Sequence, residues 1–501
     1  MSPVETSEKT RVFAVIGLEV HAQLQTRSKI FCPCPVAVGA PANSATCPVC
    51  LGFPGTLPVL NRQAVTLALR LASAVGAEIH RESRFARKHY FYPDLPKGYQ
   101  ITQYDRPFST GGGIEIDTPS GPRTIRLVRI HLEEDAGKSL HDTPYAEVPP
   151  TETLVDWNRA GVPLVEIVSE PDVRSPEEAA AYLTELRRLL RYTGVSDGDM
   201  EKGNLRCDAN VSIRPSETAP LGTRVEIKNL NSIRFVAKAL EHEIERQAAA
   251  VARGERITLE TRLWDAAAGR TVPMRGKEEA HDYRYFPEPD LGALVVDDAW
   301  IAEAVEGTPE RPRARRARFL ERYGISVADA ETLVSARELA DYFEGVVAAG
   351  APPKLASNWV TGEVLRWMKE KKVSPEDALS FAISPARLAG LLQLLEGRKI
   401  LPAQAKELVL PEMLKSGDDA ATLVERLGLG VIQDRQAVHR AVADTLESNA
   451  EQVRQYLAGN KKTFGWFVGQ VMRTTGGSAD PAAVREVLDE ELRKREHAKA
   501  P

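Results

Sequence analysis

Four cysteines crowd one short stretch of this 501-residue chain: Cys32, Cys34, Cys47 and Cys50 fall within nineteen residues. The spacing is CxC, twelve residues, then CxxC. Each pair sits on a tight turn, Cys-Pro-Cys or Cys-Pro-Val-Cys, which aims two sulfurs at one point, as in a tetrahedral zinc site. Reduced or redox-active thiols and a pair of disulfides are the competing readings, and a reducing compartment disfavours the disulfides. With all four ligands present and no open position, zinc there is structural. Cys207 stands alone and reads as a packed thiol.

A second set combines carboxylate and imidazole. In Gly17-Leu18-Glu19-Val20-His21, Glu19 and His21 are two apart and share one face of a strand. In Ile130-His131-Leu132-Glu133-Glu134-Asp135, alternation puts His131, Glu133 and Asp135 on one face and Glu134 on the other. Glu166 interrupts the apolar run Leu164–Val168. A carboxylate in an apolar strand needs a cation or a hydrogen-bond network. An Arg or Lys partner for each is one reading. The functional reading is a divalent-metal site of Glu19, His21, Glu134 and Glu166, whose oxygen-rich ligation with one imidazole suits Mg²⁺ or Mn²⁺.

Such a site usually serves phosphate, yet no standard nucleotide loop is present. Gly137-Lys138-Ser139 lacks the upstream glycine of a P-loop, and Gly428-Leu429-Gly430 lacks a third glycine. The candidate phosphate ligands are scattered cations: Lys88, Arg206, Lys228, Arg275, Lys277 and Arg284. Each alone also reads as a solvated surface residue. Two aromatic runs, Lys88–Gln100 and His281–Pro287, are either core-capping turns or the lining of a channel or nucleotide site.

These residues must be held by a mixed architecture. Val12–Val20, Arg126–Glu134, Leu164–Val168, Asn210–Arg214 and Arg224–Lys228 read as strands. Ser175-Pro176-Glu177-Glu178 starts a helix with a serine cap and proline in the first turn, and a second helix starts near Ser232. Hairpin-like turns among strands and helices predict an α+β domain. Beyond Trp300 nearly every segment has helical periodicity, which predicts an all-helical remainder in two parts. Hydrophobic residues are 43% and charged residues 27%, which excludes a disordered chain. No apolar run reaches the ~20 residues that span a bilayer, and Met1–Arg11 lacks a signal peptide's apolar core, so the expected location is cytoplasmic. The net charge of -5 requires any nucleic-acid surface to be local.

Several long motifs resemble one family. They are Ile16–His21, Cys47–Gly52, Lys88–Gln103, Glu133–Lys138, Asp156–Pro171, Glu226–Ser232 and Phe464–Met472, and the resemblance they belong to extends over nearly the whole chain. The sequence resembles the GatB family, the B subunits of bacterial aspartyl/glutamyl-tRNA amidotransferases.

The resemblance implies a cradle domain similar to glutamine synthetase over 1–298, with a mostly antiparallel sheet. A helical domain over 299–412 and a YqeY-like, tRNA-binding tail over 413–501 would follow. It implies ATP- and Mg²⁺-dependent phosphorylation of the side chain of Glu-tRNA(Gln) or Asp-tRNA(Asn), then amidation by channelled ammonia. Glu19, His21, Glu134 and Glu166 would bind Mg²⁺. Glu134, Lys88 and Glu166 would be catalytic, with Lys88 at the mouth of an ammonia channel near Glu134. Arg206, Lys228, Arg275, Lys277 and Arg284 would bind ATP; Lys461, Lys462 and Arg473 would contact tRNA. Neither Cys207 nor Gly476-Gly477-Ser478 lies in a recognisable amidase signature, so ammonia must come from elsewhere. The resemblance supplies it from an A subunit, clamped to this chain by a C subunit in a heterotrimer. A tRNA-binding scaffold without chemistry of its own is the alternative.

Overall fold

The computed structural model describes residues 4–5, 11–37, 39–140, 152–274, 283–430, 435–475 and 479–497. Two compact units result, Met1–Arg311 and Pro312–Pro501.

The first unit is built on a mixed sheet, and its central strand is the first long one of the chain. Strand β1 (Arg11–Gln23) is followed by α1 (Arg62–Ala74), β2 (Ala86–His89), β3 (Tyr99–Thr102), β4 (Gly121–Glu134) and β5 (Pro163–Ser169). Then come α2 (Pro176–Tyr192), β6 (Leu205–Arg214), β7 (Val225–Leu230), α3 (Ile233–Ala252), β8 (Glu260–Asp265), β9 (Arg270–Pro273) and β10 (Phe286–Pro287). The spatial order is β9-β8-β7-β6-β1-β5-β4-β3-β2-β10. Neighbours on this path are antiparallel except β7 and β8, which pair in parallel because helix α3 carries the chain back between them.

Alternation gives the sheet two unlike faces. Leu18, Val20 and Ala22 of β1, Val165 and Ile167 of β5, and Cys207, Ala209 and Val211 of β6 are wholly or almost wholly buried. They share a core with Leu183, Leu186 and Leu190 of α2 and Val236, Leu240 and Ile244 of α3. Each fully buried Leu or Ile there contributes about 1.5–3 kcal/mol. Both helices start where the sequence expects. The Ser175 hydroxyl accepts from the Glu178 N–H at 3.2 Å, and that of Ser232 from the Phe235 N–H at 3.1 Å. The opposite face of the sheet carries Glu19 and His21 of β1 and His131 and Glu133 of β4, and there it is polar.

Strands β1 and β5 exceed the expected ones at both ends, β4 and β6 only at their starts, and β7 begins one residue after the expected Arg224 and ends two residues later. β1 continues past Val20 to Gln23 because both neighbouring strands pair with it through Ala22, so His21 lies inside the ladder. The second unit is helical and holds two separate apolar cores, one from Phe319 to Leu423 and one from Val438 to Leu492. No helix of the described residues is long and apolar enough to cross a membrane.

Candidate active site

The polar face gathers its chemistry by register. Arg206, His21, Glu166 and His131 stand side by side on β6, β1, β5 and β4. One row along, Glu133 lies between Leu164 and Thr102. The His21 Nε2 atom is 3.5 Å from Glu133 Oε1 and 3.5 Å from Glu166 Oε2. Donor atoms of His21, Glu133 and Glu166 all lie within 4.8 Å of one another. His131 closes the far side, with Nε2 3.3 Å from Glu166 Oε2 and 3.9 Å from Glu133 Oε2.

The electrostatics are those of a site that wants a cation. Burial opposes charge on His21, but its hydrogen bond to Glu166 and the nearby Glu133 carboxylate outweigh that and raise it to about 9. Burial also works against the Glu166 carboxylate, yet His131 and His21 hold it well below the usual range. Glu133 is pushed up, first by burial and then by Glu166, against the pull of His21 and Lys88. Two carboxylates and one imidazole suit a hard divalent ion. His21 would have to give up its proton to bind one.

The other expected residues fall around this cluster. Glu19 lies one row along β1, where Asn210 Nδ2 donates to its Oε1 at 2.9 Å. Burial, then Glu166, Asp208 and Glu226, raise its pKa. Lys228 Nζ bridges Asp208 Oδ2 at 2.7 Å and Glu226 Oε1 at 2.9 Å. Arg206 Nη2 pairs with Asp135 Oδ1 at 2.7 Å. Lys88 lies 4.9 Å from the Tyr283 ring centroid and stays charged despite burial, favoured by Glu133, Tyr285 and Glu166. Arg284 is exposed with a left-handed φ of 44°, and its carbonyl lies 3.1 Å from His89 Nδ1. Arg275 and Lys277 lie outside the described residues, as does Gly476-Gly477-Ser478. A cavity of about 300 Å³ extends along the polar face from Glu19, lined in part by Val15, Gly17, Ser169, Asn210 and Arg224.

Glu134 is not in the cluster. The alternation of β4 turns it to the opposite face, where its carboxylate pairs with Lys97 and accepts the Ile101 N–H at 2.8 Å. The four-residue set drawn from the sequence therefore differs from the grouped donors: Glu133 stands where Glu134 was expected, and Glu19 stands beside them. The signal was present in the sequence, since a period of two assigns His131 and Glu133 to one face. Lys97 and Arg129 carried no comparable signal, because each reads as an ordinary strand or loop residue until its partner strand is known.

Behind Glu134 lies the cysteine knuckle. The four sulfurs of Cys32, Cys34, Cys47 and Cys50 lie within 4.8 Å of one another, and none is in a disulfide. That donor set fits zinc. Lys29, with no exposed surface, donates from Nζ to Cys50 Sγ at 3.6 Å and to the Trp157 carbonyl at 3.4 Å. A small pocket between knuckle and sheet is lined by Cys32, Cys50, Lys97, Tyr99, Glu134 and Gly161.

In the second unit, Lys461 pairs with Glu496 and lies 4.1 Å from the Tyr456 ring centroid. Lys462 and Arg473 are exposed at opposite ends of the helix Thr463–Thr474.

Residues 14–302 match the family model described as the GatB/GatE catalytic domain, and residues 341–492 match the GatB domain. The chain belongs to the GatB family. It is 51% identical over 474 residues to the B subunit of the aspartyl/glutamyl-tRNA(Asn/Gln) amidotransferase of Chlorobaculum tepidum, covering 95% of this chain and 98% of that one. The protein of the same name from Chlorobium phaeobacteroides is 50% identical over 478 residues, covering 95% and 98%. That from Geobacter sulfurreducens is 49% identical over 482 residues, covering 96% and 99%. The catalytic-domain match spans the sheet and its polar cluster. The chain is thus an amidotransferase subunit of the ligase class.

Proposed function

We propose that this chain performs the ATP-dependent half of a tRNA amidotransferase reaction on the polar face of its sheet. The observation that carries the reading is the His21–Glu133–Glu166 cluster, flanked by cations and by a cavity large enough for a nucleoside. The substrate is Glu-tRNA(Gln), Asp-tRNA(Asn) or both, as the names of the relatives suggest.

In the first step the side-chain carboxylate of the aminoacyl group attacks the γ-phosphorus of ATP. The bond to the bridging oxygen breaks, and ADP leaves. Ammonia then attacks the acyl carbon, phosphate departs, and the nitrogen loses a proton to give the amide. His21, Glu133 and Glu166 would hold Mg²⁺. When bound, that ion supplies charge neutralisation for the transferred phosphoryl group. Lys88 and Arg206 bring positive charge to the same face, and Lys228, Arg275, Lys277 and Arg284 are the further candidates for ATP. A sheet with one polar, cation-binding face fits the glutamine-synthetase-like cradle proposed for residues 1–298.

Glu134 and Lys97 take a different part. Their pair sits in a small pocket on the opposite side of β4, suited to a small polar molecule such as ammonia on its way to the polar face. Enclosed delivery protects an acyl phosphate from water. Ammonia would come from a glutaminase A subunit, with a C subunit completing the heterotrimer. Zinc on Cys32, Cys34, Cys47 and Cys50 would brace this wall. The helical parts, 299–412 and 413–501, would hold the tRNA, with Lys461, Lys462 and Arg473 as phosphate contacts.

The test uses the assembled complex, misacylated tRNA, ATP and Mg²⁺, with ammonium or glutamine as nitrogen donor. Glu133→Gln and Glu166→Gln are expected to abolish amide formation from either donor while tRNA binding stays unchanged. Glu134→Gln is expected to impair the glutamine-driven reaction more than the ammonium-driven one. Full activity of Glu166→Gln would move the chemistry off this face and favour the scaffold reading.

A further inference from the structure

Glu166 lies between two imidazoles, and they do not play the same part. It faces His21 on β1 and His131 on β4 in the same row. The grouped donors are His21, Glu133 and Glu166; His131 is outside that group. Yet His131 is only 3% exposed, so it was not placed there to serve solvent. Its own ring is held from behind: Arg129 Nε donates to His131 Nδ1 at 3.4 Å. Arginine has no acceptor, so in this hydrogen bond Nδ1 is the accepting nitrogen. The proton then sits on Nε2, which points at Glu166 Oε2, 3.3 Å away.

We propose that His131, its tautomer set by Arg129, is a positioning residue that fixes the Glu166 carboxylate for the cation bound with His21 and Glu133. The assignment rests on the metal reading above. A carboxylate with one free torsion at its end must be pinned before it can aim a lone pair. The Nε2–H takes one lone pair of Oε2, the same oxygen that His21 Nε2 faces at 3.5 Å, and so fixes the plane of the carboxylate beside His21. Outer partners of this kind typically affect metal affinity by about 10–100-fold. Two imidazoles beside one carboxylate are thereby explained without a second ion.

The test is Mn²⁺ binding to the full chain, followed by the electron paramagnetic resonance of the free ion, with unfolding curves as a control on folding. His131→Leu is expected to weaken Mn²⁺ binding about 10–100-fold. His131→Gln carries an amide N–H to roughly the place of Nε2 and should recover most of that loss. Arg129→Met leaves the ring in place but frees its tautomer, and its affinity should fall between the two. Wild-type affinity in His131→Leu, or a Gln variant as weak as the Leu variant, overturns the positioning role. If the unmodified chain shows no saturable Mn²⁺ binding that Glu166→Gln removes, the metal reading itself fails and takes this assignment with it. Should His131→Leu not fold, the Gln and Arg129→Met variants decide the matter.

Discussion

At the scale of single residues, the site is a problem in proton bookkeeping. His21 is raised to about 9 by Glu166 and Glu133 against the cost of burial. A metal needs its neutral ring, so the ion and the proton compete for the same nitrogen. Titration calorimetry in buffers of different ionisation enthalpy should show up to one proton released per Mn²⁺ near pH 7.5. Apparent affinity should rise with pH and level off above about 9. Without metal the linkage runs the other way. A folded-state pKa raised above the unfolded value stabilises fully below about 6.5, and that gain is lost as pH rises through about 9. The metal-free thermal midpoint should therefore fall between pH 7 and 9, and a flat midpoint would contradict the ion-paired His21. The residue types of this site were legible in the sequence, and Glu166 in its apolar strand announced itself. Which of Glu133 and Glu134 belonged to the cluster followed from a period of two, whereas the resemblance pointed to Glu134. Lys97 and Arg129 were illegible because their roles exist only through pairing with distant strands.

At the scale of elements, β4 does double service. It presents Glu133 to the polar face and Glu134 to the knuckle side, so a slip of one residue would exchange the two functions. Register is held from both sides, by β5 through Leu164 and Glu166 and by β3 through Thr102. The helices behind the sheet keep that register by filling its apolar face. Removing the cap of α3 with Ser232→Ala should cost about 1 kcal/mol, seen as a lower urea midpoint with an unchanged slope. Amide formation should be retained below the transition, since the cap touches no site residue. Helix starts were legible because serine caps and first-turn residues act locally. Strand order was not, since pairing across nearly two hundred residues leaves no local trace.

At the scale of the whole molecule, the chemistry and the tRNA contacts are assigned to different compact units. Their contributions should separate in kinetics. Lys462→Ala with Arg473→Ala is expected to raise KM for tRNA with little change in kcat. The salt dependence of binding should also flatten by roughly 0.7–0.9 in log–log slope for each phosphate no longer neutralised. Lys461→Ala should do less than either, because Glu496 already neutralises that lysine. An unchanged slope in the double variant would take these residues out of the tRNA surface.

The central place of β1 also bears on how the protein is made. The thirteen residues Arg11–Gln23 leave the ribosome well before their partners, β5, from Pro163, and β6, from Leu205. At about 5–20 residues per second, β6 follows roughly 10–40 s later. Until β5 emerges the nascent chain carries an apolar strand with both of its main hydrogen-bonding edges open, and one edge stays open until β6 follows, the kind of template on which neighbouring chains aggregate. Shielding of that one segment during synthesis, by chaperones or by dilution among ribosomes, is therefore expected to raise the yield of folded protein.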